Sequence, residues 1–326
     1  MSKTCLVVIY NHQYIANIEK LEKLYKNKFD KIYHIMPFYT GDKDNVISIY
    51  ENSYQFSNYV TQAFEKFYSD EYDYYAFMGD DVLLNPELTS NTIEEMLQIN
   101  QDTAFTARDL YVMDNKYFLT RIWLFPSILN YMYSDDRKTI DKILPDIEDM
   151  IEKYKLLGIK PVLTSEDKIE FLQDFLPVSR QHNFYYKYSP SRADENLDYK
   201  KLLNSYKDKE NKSIKYLFPF ACGFSDFFVI PKNYVKKFSY YAGVLASQRI
   251  FAEVAVPTSL CIVMNKISMP TDIGLNIINF TSTDKERVEL PERYNKSVKR
   301  FIEDWDESNL LVHPIKYSIW EVDIEE

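Results

Sequence analysis

Short apolar segments alternate with helical patterns over the first eighty residues, and this alternation restricts the possible fold more than any other feature. The runs Cys5–Tyr10, Lys31–Met36 and Tyr74–Met78 each have the length and character of a buried strand. Between them, apolar residues recur at helical spacing over 15–25 and 54–68. The order strand, helix, strand, helix, strand predicts an α/β fold with a mostly parallel sheet flanked by helices.

The middle of the chain has a different character, which we interpret as a largely helical insertion. Apolar residues at helical spacing from 140 to 154 predict a helix that ends near Gly158, and Pro145 predicts a kink or two abutting helices. A shorter helix is predicted over 166–176. The polar, Tyr-rich segment 180–215 has the composition of a loop.

Composition narrows the class of protein. The chain has 326 residues, and its 39 basic and 49 acidic side chains give a net charge of −10, which disfavours general nucleic-acid binding. The three cysteines, Cys5, Cys222 and Cys261, are too few and too scattered for a disulfide scaffold or a zinc site. No apolar run approaches the ~20 residues of a membrane span, and the amino-terminal run is too short for a signal peptide. We therefore expect a cytoplasmic protein.

The strongest chemical signal is a pair of acids, Asp80 and Asp81, that follows Gly79 at the end of the third predicted strand. Ligands of open α/β sheets bind at the carboxyl ends of the strands. Two adjacent carboxylates repel each other and lose hydration there, and a divalent cation relieves both costs. The alternative is a helix N-cap or a solvated turn.

Three further segments carry candidate residues. His313 follows an apolar run and precedes Lys316 by three residues, a combination that suits a metal and a phosphate group. Gly223 and Asp226 precede the strand-like run Phe-Phe-Val-Ile. Glu253 is a lone acid in an apolar stretch, where burial would raise its pKa and favour a role as a base. A structural histidine, an ordinary turn and a solvent-facing glutamate are the respective alternatives.

In their order along the chain, these features resemble those of the glycosyltransferases with the GT-A fold. That family combines a nucleotide-binding α/β half with an Asp-x-Asp metal motif, a glycine loop, an acidic base motif and a late metal-binding histidine. Asp81 matches the last acid of the metal motif and Asp80 its middle position. Gly223 matches the glycine loop, Glu253 the base motif and His313 the late histidine. The resemblance covers nearly the whole chain except the central insertion.

The resemblance implies a metal-dependent glycosyltransferase that binds Mn²⁺ or Mg²⁺ and a nucleotide-sugar donor, with a UDP-sugar favoured. The implied metal ligands are Asp80, Asp81 and His313. The residues expected to contact the donor are Tyr10, Asn11, His12, Asp80 and Lys316. Glu253 or Asp226 would take the proton from the acceptor hydroxyl if the reaction inverts, which we favour.

The same resemblance implies three regions. Residues 1–118 would form the nucleotide-sugar-binding half, 119–215 an insertion that contributes to acceptor binding, and 216–326 the rest of the α/β core. Candidate acceptor contacts are Arg108, Asp109, Tyr111, Trp123 and Tyr185–Tyr186. The acceptor would be a glycan or a lipid-linked glycan, reached through peripheral contact with the inner face of a membrane.

Two departures from the family pattern keep other functions open. Gly79 stands where the metal motif has its first acid, and Glu253 lacks the neighbouring acid of the usual base motif, which leaves Asp226 and Asp109 as substitutes. One alternative is a sugar nucleotidyltransferase, although the segment 11–14 lacks the glycines and basic residues of its phosphate loop. The other is a catalytically inactive carbohydrate-binding relative.

Overall fold

A computed structural model describes residues 2–112, 131, 134, 136–159, 218–280 and 284–324. The chain divides into two compact units, one comprising 1–110 with 222–326 and the other comprising 111–221. The predicted region boundaries, after residue 118 and before residue 216, lie outside the described residues.

The strands are numbered in chain order. They are β1 Thr4–Ile9, β2 Lys31–Pro37, β3 Val46–Ile49, β4 Tyr74–Gly79, β5 Leu83–Leu84, β6 Thr103–Thr106, β7 Tyr111–Val112, β8 Ala221–Cys222, β9 Phe227–Pro231, β10 Lys266–Ser268, β11 Asn276–Asn279 and β12 Asn309–His313.

The larger unit is built on a seven-stranded sheet with the order β10-β6-β9-β4-β1-β2-β3. Every neighbouring pair runs parallel except the two that involve β9, which is antiparallel to both β4 and β6. Strands β1 and β4 are buried almost completely on both faces, as strands of a parallel sheet with helices on both sides must be. This arrangement confirms the predicted mixed α/β class with a mostly parallel sheet flanked by helices, and it is compatible with a Rossmann-like fold.

The described helices are α1 Ile15–Tyr25, α2 Phe56–Phe67, α3 Ile93–Leu97, α4 Arg137–Ile140, α5 Ile147–Leu156, α6 Lys232–Ser247, α7 Ala252–Val263, α8 Pro270–Ile273, α9 Glu286–Arg293 and α10 Val298–Glu303. Among them there is none with the length and apolarity that crossing a membrane requires. The amphipathic patterns predicted over 15–25 and 54–68 correspond to α1 and α2, each of which buries one face.

A second sheet of three strands has the order β11-β12-β5. Strand β12 is parallel to β11 and antiparallel to β5, which lies four residues beyond the end of β4. Because β5 follows so closely on β4, this pairing brings the carboxyl end of β12 to the carboxyl edge of the main sheet.

In the smaller unit, the described residues include α4 and α5. The helix predicted from 140 begins only at Ile147, because residues 141–146, which include Pro145, are not helical; Gly158 follows its end with a φ of +72°. The helix predicted over 166–176 and the loop over 180–215 lie outside the described residues. The reading of the whole segment as a helical insertion therefore stays a prediction.

Candidate metal centre

The backbone at the end of β4 is held by both of its neighbouring strands. The Gly79 N–H donates to Asp226 O at 2.8 Å, and the Asp80 N–H donates to Ile9 O at 3.0 Å. Since β9 runs antiparallel to β4, its first residues lie at the same edge as the last residues of β1 and β4. The fold therefore brings Asp226 next to Gly79 and Asp81, although the two segments are far apart in sequence.

His313 reaches the same edge from the second sheet. The N–H of Ile315 donates to the carbonyl of Asp81 at 2.6 Å, which fixes the segment after β12 against the turn after β4. The peptide bond between His313 and Pro314 is cis.

The side chains of Asp81, Asp226 and His313 form a group whose ligand atoms all lie within 4.8 Å of one another. We refer to these three residues as the metal cluster. The His313 Nε2 atom lies 3.4 Å from Asp81 Oδ1 and 3.6 Å from Asp226 Oδ1. Two carboxylates and an imidazole at this spacing can hold a divalent cation.

The electrostatics of the metal cluster show an excess of negative charge. Asp81 Oδ1 is buried but has no hydrogen-bond partner among the described residues. Burial raises the pKa of Asp226; His313 opposes the rise and Asp81 adds to it. Burial alone would lower the pKa of His313, but the carboxylates of Asp226 and Asp81 outweigh it and raise the pKa to about 9. A bound cation would favour the ionised carboxylate of Asp226 and the neutral imidazole of His313, and would therefore lower both raised pKa values.

Gly79 lies directly beneath the metal cluster. A Cβ atom at this position would be 3.1 Å from Asp81 Oδ1 and 3.7 Å from Asp226 Oδ1. A side chain here would therefore push against the carboxylates. Asp226, directly before β9, supplies the second carboxylate of the metal cluster.

Asp80 is not part of the metal cluster, which corrects the expectation that it ligates the metal. Its side chain is only 2% exposed. One carboxylate oxygen accepts from Asn17 Nδ2 at 3.0 Å and the other from the Asn11 N–H at 3.4 Å. Burial, and then the charge of Asp81, raise the pKa of Asp80 to about 7. Asp80 thus holds the first turn after β1 to the end of β4.

The other residues expected to contact a donor have different environments. Tyr10 is fully buried, with its hydroxyl 2.8 Å from His34 Nδ1, so its side chain offers no surface to a ligand and that expectation is wrong. Asn11 and His12 are exposed at the carboxyl edge of the sheet, as expected. Lys316 is also exposed, three residues beyond His313.

The candidate base residues lie in separate places. Asp226 belongs to the metal cluster, whereas Glu253 is in the first turn of α7 and is partly buried. The carbonyl of Glu253 accepts from the Gly223 N–H at 3.1 Å, which places its backbone beside the predicted glycine loop. Gly223 leaves no room for a Cβ, which would be 2.8 Å from Leu110 Cδ2. Asp109 accepts from the Thr271 hydroxyl at 3.1 Å.

The charges of two arginines shift pKa values in the metal cluster. Arg108, which follows β6, lowers the pKa of Asp226 by its charge, and Arg287 on α9 opposes protonation of His313. The Arg108 guanidinium also lies 5.5 Å from the centre of the Phe224 ring. Of the other candidate acceptor contacts, Tyr111 is exposed, and Trp123 and Tyr185–Tyr186 lie outside the described residues.

The sequence reasoning missed a group of exposed aromatic residues at the same edge of the sheet, which we name the aromatic edge: Tyr14, Phe38 and Tyr50. Tyr50 is 77% exposed and its ring centre lies 6.3 Å from that of Phe38. Phe38 has a φ of +53°, unusual for a bulky side chain. Its N–H donates to Ile49 O at 2.8 Å, and Gln13 Nε2 donates to its carbonyl. These hydrogen bonds hold the backbone of Phe38 in a strained conformation and leave its aromatic ring exposed. Backbone strain of this kind is concentrated at functional sites.

Comparison with known proteins found no family model that matches the chain and no matching curated relative.

Proposed function

We propose that the chain is a metal-dependent glycosyltransferase that moves a sugar from a nucleoside diphosphate sugar to a hydroxyl of a glycan or glycolipid. The observation that carries the proposal is the metal cluster at the carboxyl edge of a mostly parallel sheet. Its buried Asp81 oxygen lacks a hydrogen-bond partner among the described residues, and its two carboxylates have one imidazole between them. A hard divalent cation such as Mn²⁺ or Mg²⁺ would satisfy this donor set.

The aromatic edge supports a nucleotide as the ligand. Phe38 follows β2, and β2 is separated from β4 by β1 alone. With a strand spacing of about 4.8 Å, the strands that end before Phe38 and Asp81 are roughly 10 Å apart. That separation suits a ligand with a planar base at one end and a diphosphate at the other. A planar base would stack on an exposed aromatic ring.

In the proposed reaction, Asp81, Asp226 and His313 hold the metal ion. When bound, the metal stabilises the negative charge that develops on the leaving nucleoside diphosphate. Arg108, Arg287 and Lys316 supply positive charge around the same anion.

Glu253 is the proposed general base if the reaction inverts. Asp226 is less suited to that role because its carboxylate takes part in the metal cluster.

The decisive experiment measures metal-dependent nucleotide binding in the wild type and in Asp81→Asn. Thermal unfolding would be followed with UDP, GDP, CMP and their sugar conjugates, each with Mn²⁺, Mg²⁺ or EDTA. A ligand at 100 times its Kd stabilises the folded state by about 2.7 kcal/mol. We expect one nucleotide to stabilise the wild type only when metal is present. We expect Asp81→Asn to weaken Mn²⁺ binding more than about 100-fold, beyond the usual cost of losing an outer partner of a metal ligand.

Asp73→Asn is the matched control, since Asp73 directly precedes β4, at the opposite end of the strand, and its carboxylate accepts from the Lys3 N–H. Metal-dependent binding that survives in Asp81→Asn would overturn the metal-site assignment. Release of pyrophosphate from a nucleoside triphosphate and a sugar phosphate would instead identify a nucleotidyltransferase. Glycan binding with no response to any nucleotide or metal would identify a carbohydrate-binding protein.

A further inference from the structure

We propose that Asn279 is a positioning residue that holds His313 in the one tautomer and orientation in which the imidazole can bind a metal. The inference rests on the proposed metal site and extends it to a residue outside the metal cluster. The juxtaposition that carries it is a hydrogen bond between the two side chains, with Asn279 Oδ1 at 2.9 Å from His313 Nδ1.

The backbone fixes both partners of this hydrogen bond. Asn279 and His313 are register partners in the parallel pairing of β11 with β12, and the Phe280 N–H donates to His313 O at 2.8 Å. The two side chains therefore start from neighbouring points on one sheet. The contact does not depend on a loop or on a long flexible side chain.

The two nitrogens of the imidazole face different groups. Nδ1 faces the amide oxygen of Asn279, while Nε2 faces the carboxylates of Asp81 and Asp226 at 3.4 Å and 3.6 Å. The ring of Phe224 packs edge to face against the imidazole, with centres 5.2 Å apart and planes at 84°. Phe224 thus limits rotation of the imidazole, and the amide oxygen defines which nitrogen carries hydrogen.

Without Asn279, the carboxylates would favour the wrong tautomer. Two carboxylate oxygens near Nε2 attract a proton to that nitrogen, which is the atom that a metal needs unprotonated. An acceptor on the other side of the ring favours hydrogen on Nδ1 and leaves the Nε2 lone pair available. Partners of this kind set the tautomer and the basicity of metal-bound histidines in general. Asn279 therefore opposes the influence of the two acids that share the metal.

Three variants separate positioning from a merely structural role. Asn279→Leu keeps a similar volume and removes the acceptor, whereas Asn279→Asp keeps an acceptor and strengthens it. Asn276→Leu is the matched control, because Asn276 is exposed on the same strand and its amide donates to Ser308 Oγ, away from the cluster. By calorimetric titration, we expect Asn279→Leu to weaken Mn²⁺ binding about 10- to 100-fold. Asn279→Asp should bind Mn²⁺ at least as tightly as the wild type, and Asn276→Leu should equal the wild type.

A spectroscopic readout tests the tautomer directly. The chain contains four histidines, so ¹⁵N labelling of histidine gives few imidazole signals. A metal on Nε2 would place hydrogen on Nδ1 in every variant, so the spectra are compared without metal and at a pH above the pKa of His313. Under these conditions the neutral imidazole should show hydrogen on Nδ1 in the wild type and in Asn279→Asp, and on Nε2 in Asn279→Leu.

The results distinguish failure of this inference from failure of the proposed function. If wild-type protein binds no Mn²⁺, or if Asp81→Asn binds it equally well, the metal site itself is wrong. If Asp81→Asn loses binding while Asn279→Leu keeps wild-type affinity and the Nδ1–H tautomer, only the positioning role is overturned. Equal losses in Asn279→Leu and Asn276→Leu would also overturn it, since they would report damage to the strand.

Discussion

Two histidines in this protein each have polar side chains near both ring nitrogens, yet the number and charge of these neighbours differ. His34 is fully buried, with Nδ1 at 2.8 Å from the Tyr10 hydroxyl and Nε2 at 3.0 Å from Glu22 Oε1. Asn45 donates to the same glutamate oxygen at 2.6 Å. We refer to Tyr10, His34 and Glu22 as the buried polar chain. His313 has three polar neighbours, with Asn279 on Nδ1 and the carboxylates of Asp81 and Asp226 near Nε2.

The buried polar chain and the metal cluster differ in whether their polar atoms all have hydrogen-bond partners. In the buried polar chain, one acid meets one imidazole, and each polar end has a partner. In the metal cluster, two acids share one imidazole and Asp81 Oδ1 has no hydrogen-bond partner among the described residues. A buried polar group without a partner costs about 1–3 kcal/mol, so a fold that keeps one has a reason beyond packing. The contrast favours a structural role for His34 and supports the proposed role of His313 as a metal ligand.

The largest effect that would test this contrast is expected at His34. His34→Phe fills a similar volume but leaves the buried Tyr10 hydroxyl without a partner, so we expect the free energy of unfolding to fall by about 1–3 kcal/mol. Mn²⁺ affinity should stay at the wild-type value, because the metal cluster is untouched. Urea unfolding of the metal-free protein and a Mn²⁺ titration measure the two quantities.

The double variant Tyr10→Phe with His34→Phe provides the control. Replacing both partners of a buried hydrogen bond with apolar groups of the same shape is nearly neutral, so part of the lost stability should return. A His34→Phe protein of normal stability that has lost Mn²⁺ binding would reverse the roles assigned to the two regions.

Much of the fold could be predicted because its signals are local. The run from Tyr74 to Met78 reads as a buried strand whatever surrounds it, and helical spacing over 15–25 predicts α1 without knowledge of its neighbours. Where the structure differs from what the local sequence indicates, a side chain forms a hydrogen bond with another residue. The sequence Thr92-Ile-Glu-Glu fits a capping box, but the Thr92 hydroxyl donates to Glu87 O and accepts from the Thr89 N–H, so α3 begins without such a box.

The site could be predicted only in part, because its assembly depends on the sheet topology. Adjacent side chains on a strand or turn point in different directions, so Asp80 and Asp81 could not both be assigned to one ion from their sequence positions. Asp226 joins Asp81 only because β9 runs antiparallel beside β4. Asn279 meets His313 only through the register of β11 with β12. Neither pairing leaves a signal in the local sequence.

A smaller effect is expected from Gly79→Ala, which tests whether the metal cluster is tightly fitted. The new Cβ would be 3.1 Å from Asp81 Oδ1, so the carboxylate must move by a few tenths of an ångström. We expect Mn²⁺ affinity to fall by up to about 10-fold, the lower end of what changes around metal ligands cost. Calorimetric titration measures the change.

The stability of metal-free Gly79→Ala serves as its internal control. Because the change adds one methyl group beside an acid pair that lacks its counter-ion, the free energy of unfolding should change far less than in His34→Phe. If Gly79→Ala kept the wild-type Mn²⁺ affinity, the carboxylates could shift to accommodate a Cβ atom without weakening metal binding. The inference that the metal cluster is tightly packed against Gly79 would then be wrong.

The smallest effect is expected from Glu22→Gln, which probes the charge in the buried polar chain. The hydrogen bond from His34 lowers the pKa of Glu22; burial opposes this, and the hydrogen bond from Asn45 and the charge of Lys43 add to the lowering. A folded-state pKa below the unfolded value means that ionised Glu22 stabilises the fold above the unfolded pKa of about 4.3. That stability is lost as the pH falls through the folded pKa. Since Glu22 is about one-third exposed, the contribution is at most about 1 kcal/mol after solvent screening.

Unfolding free energies of wild type and Glu22→Gln between pH 3 and pH 7 would show this as a difference that is constant near neutral pH and shrinks in acid. Glu19→Gln is the matched control, because Glu19 lies on the same helix and lines a surface cleft together with Glu22. Its free energy of unfolding should equal that of the wild type at every pH. A Glu22→Gln difference that stays constant into acid would mean that the carboxylate charge does not stabilise the chain. The buried polar chain would then be stabilised by hydrogen bonding alone. That result would increase its difference from the metal cluster, in which two negatively charged acids share one imidazole.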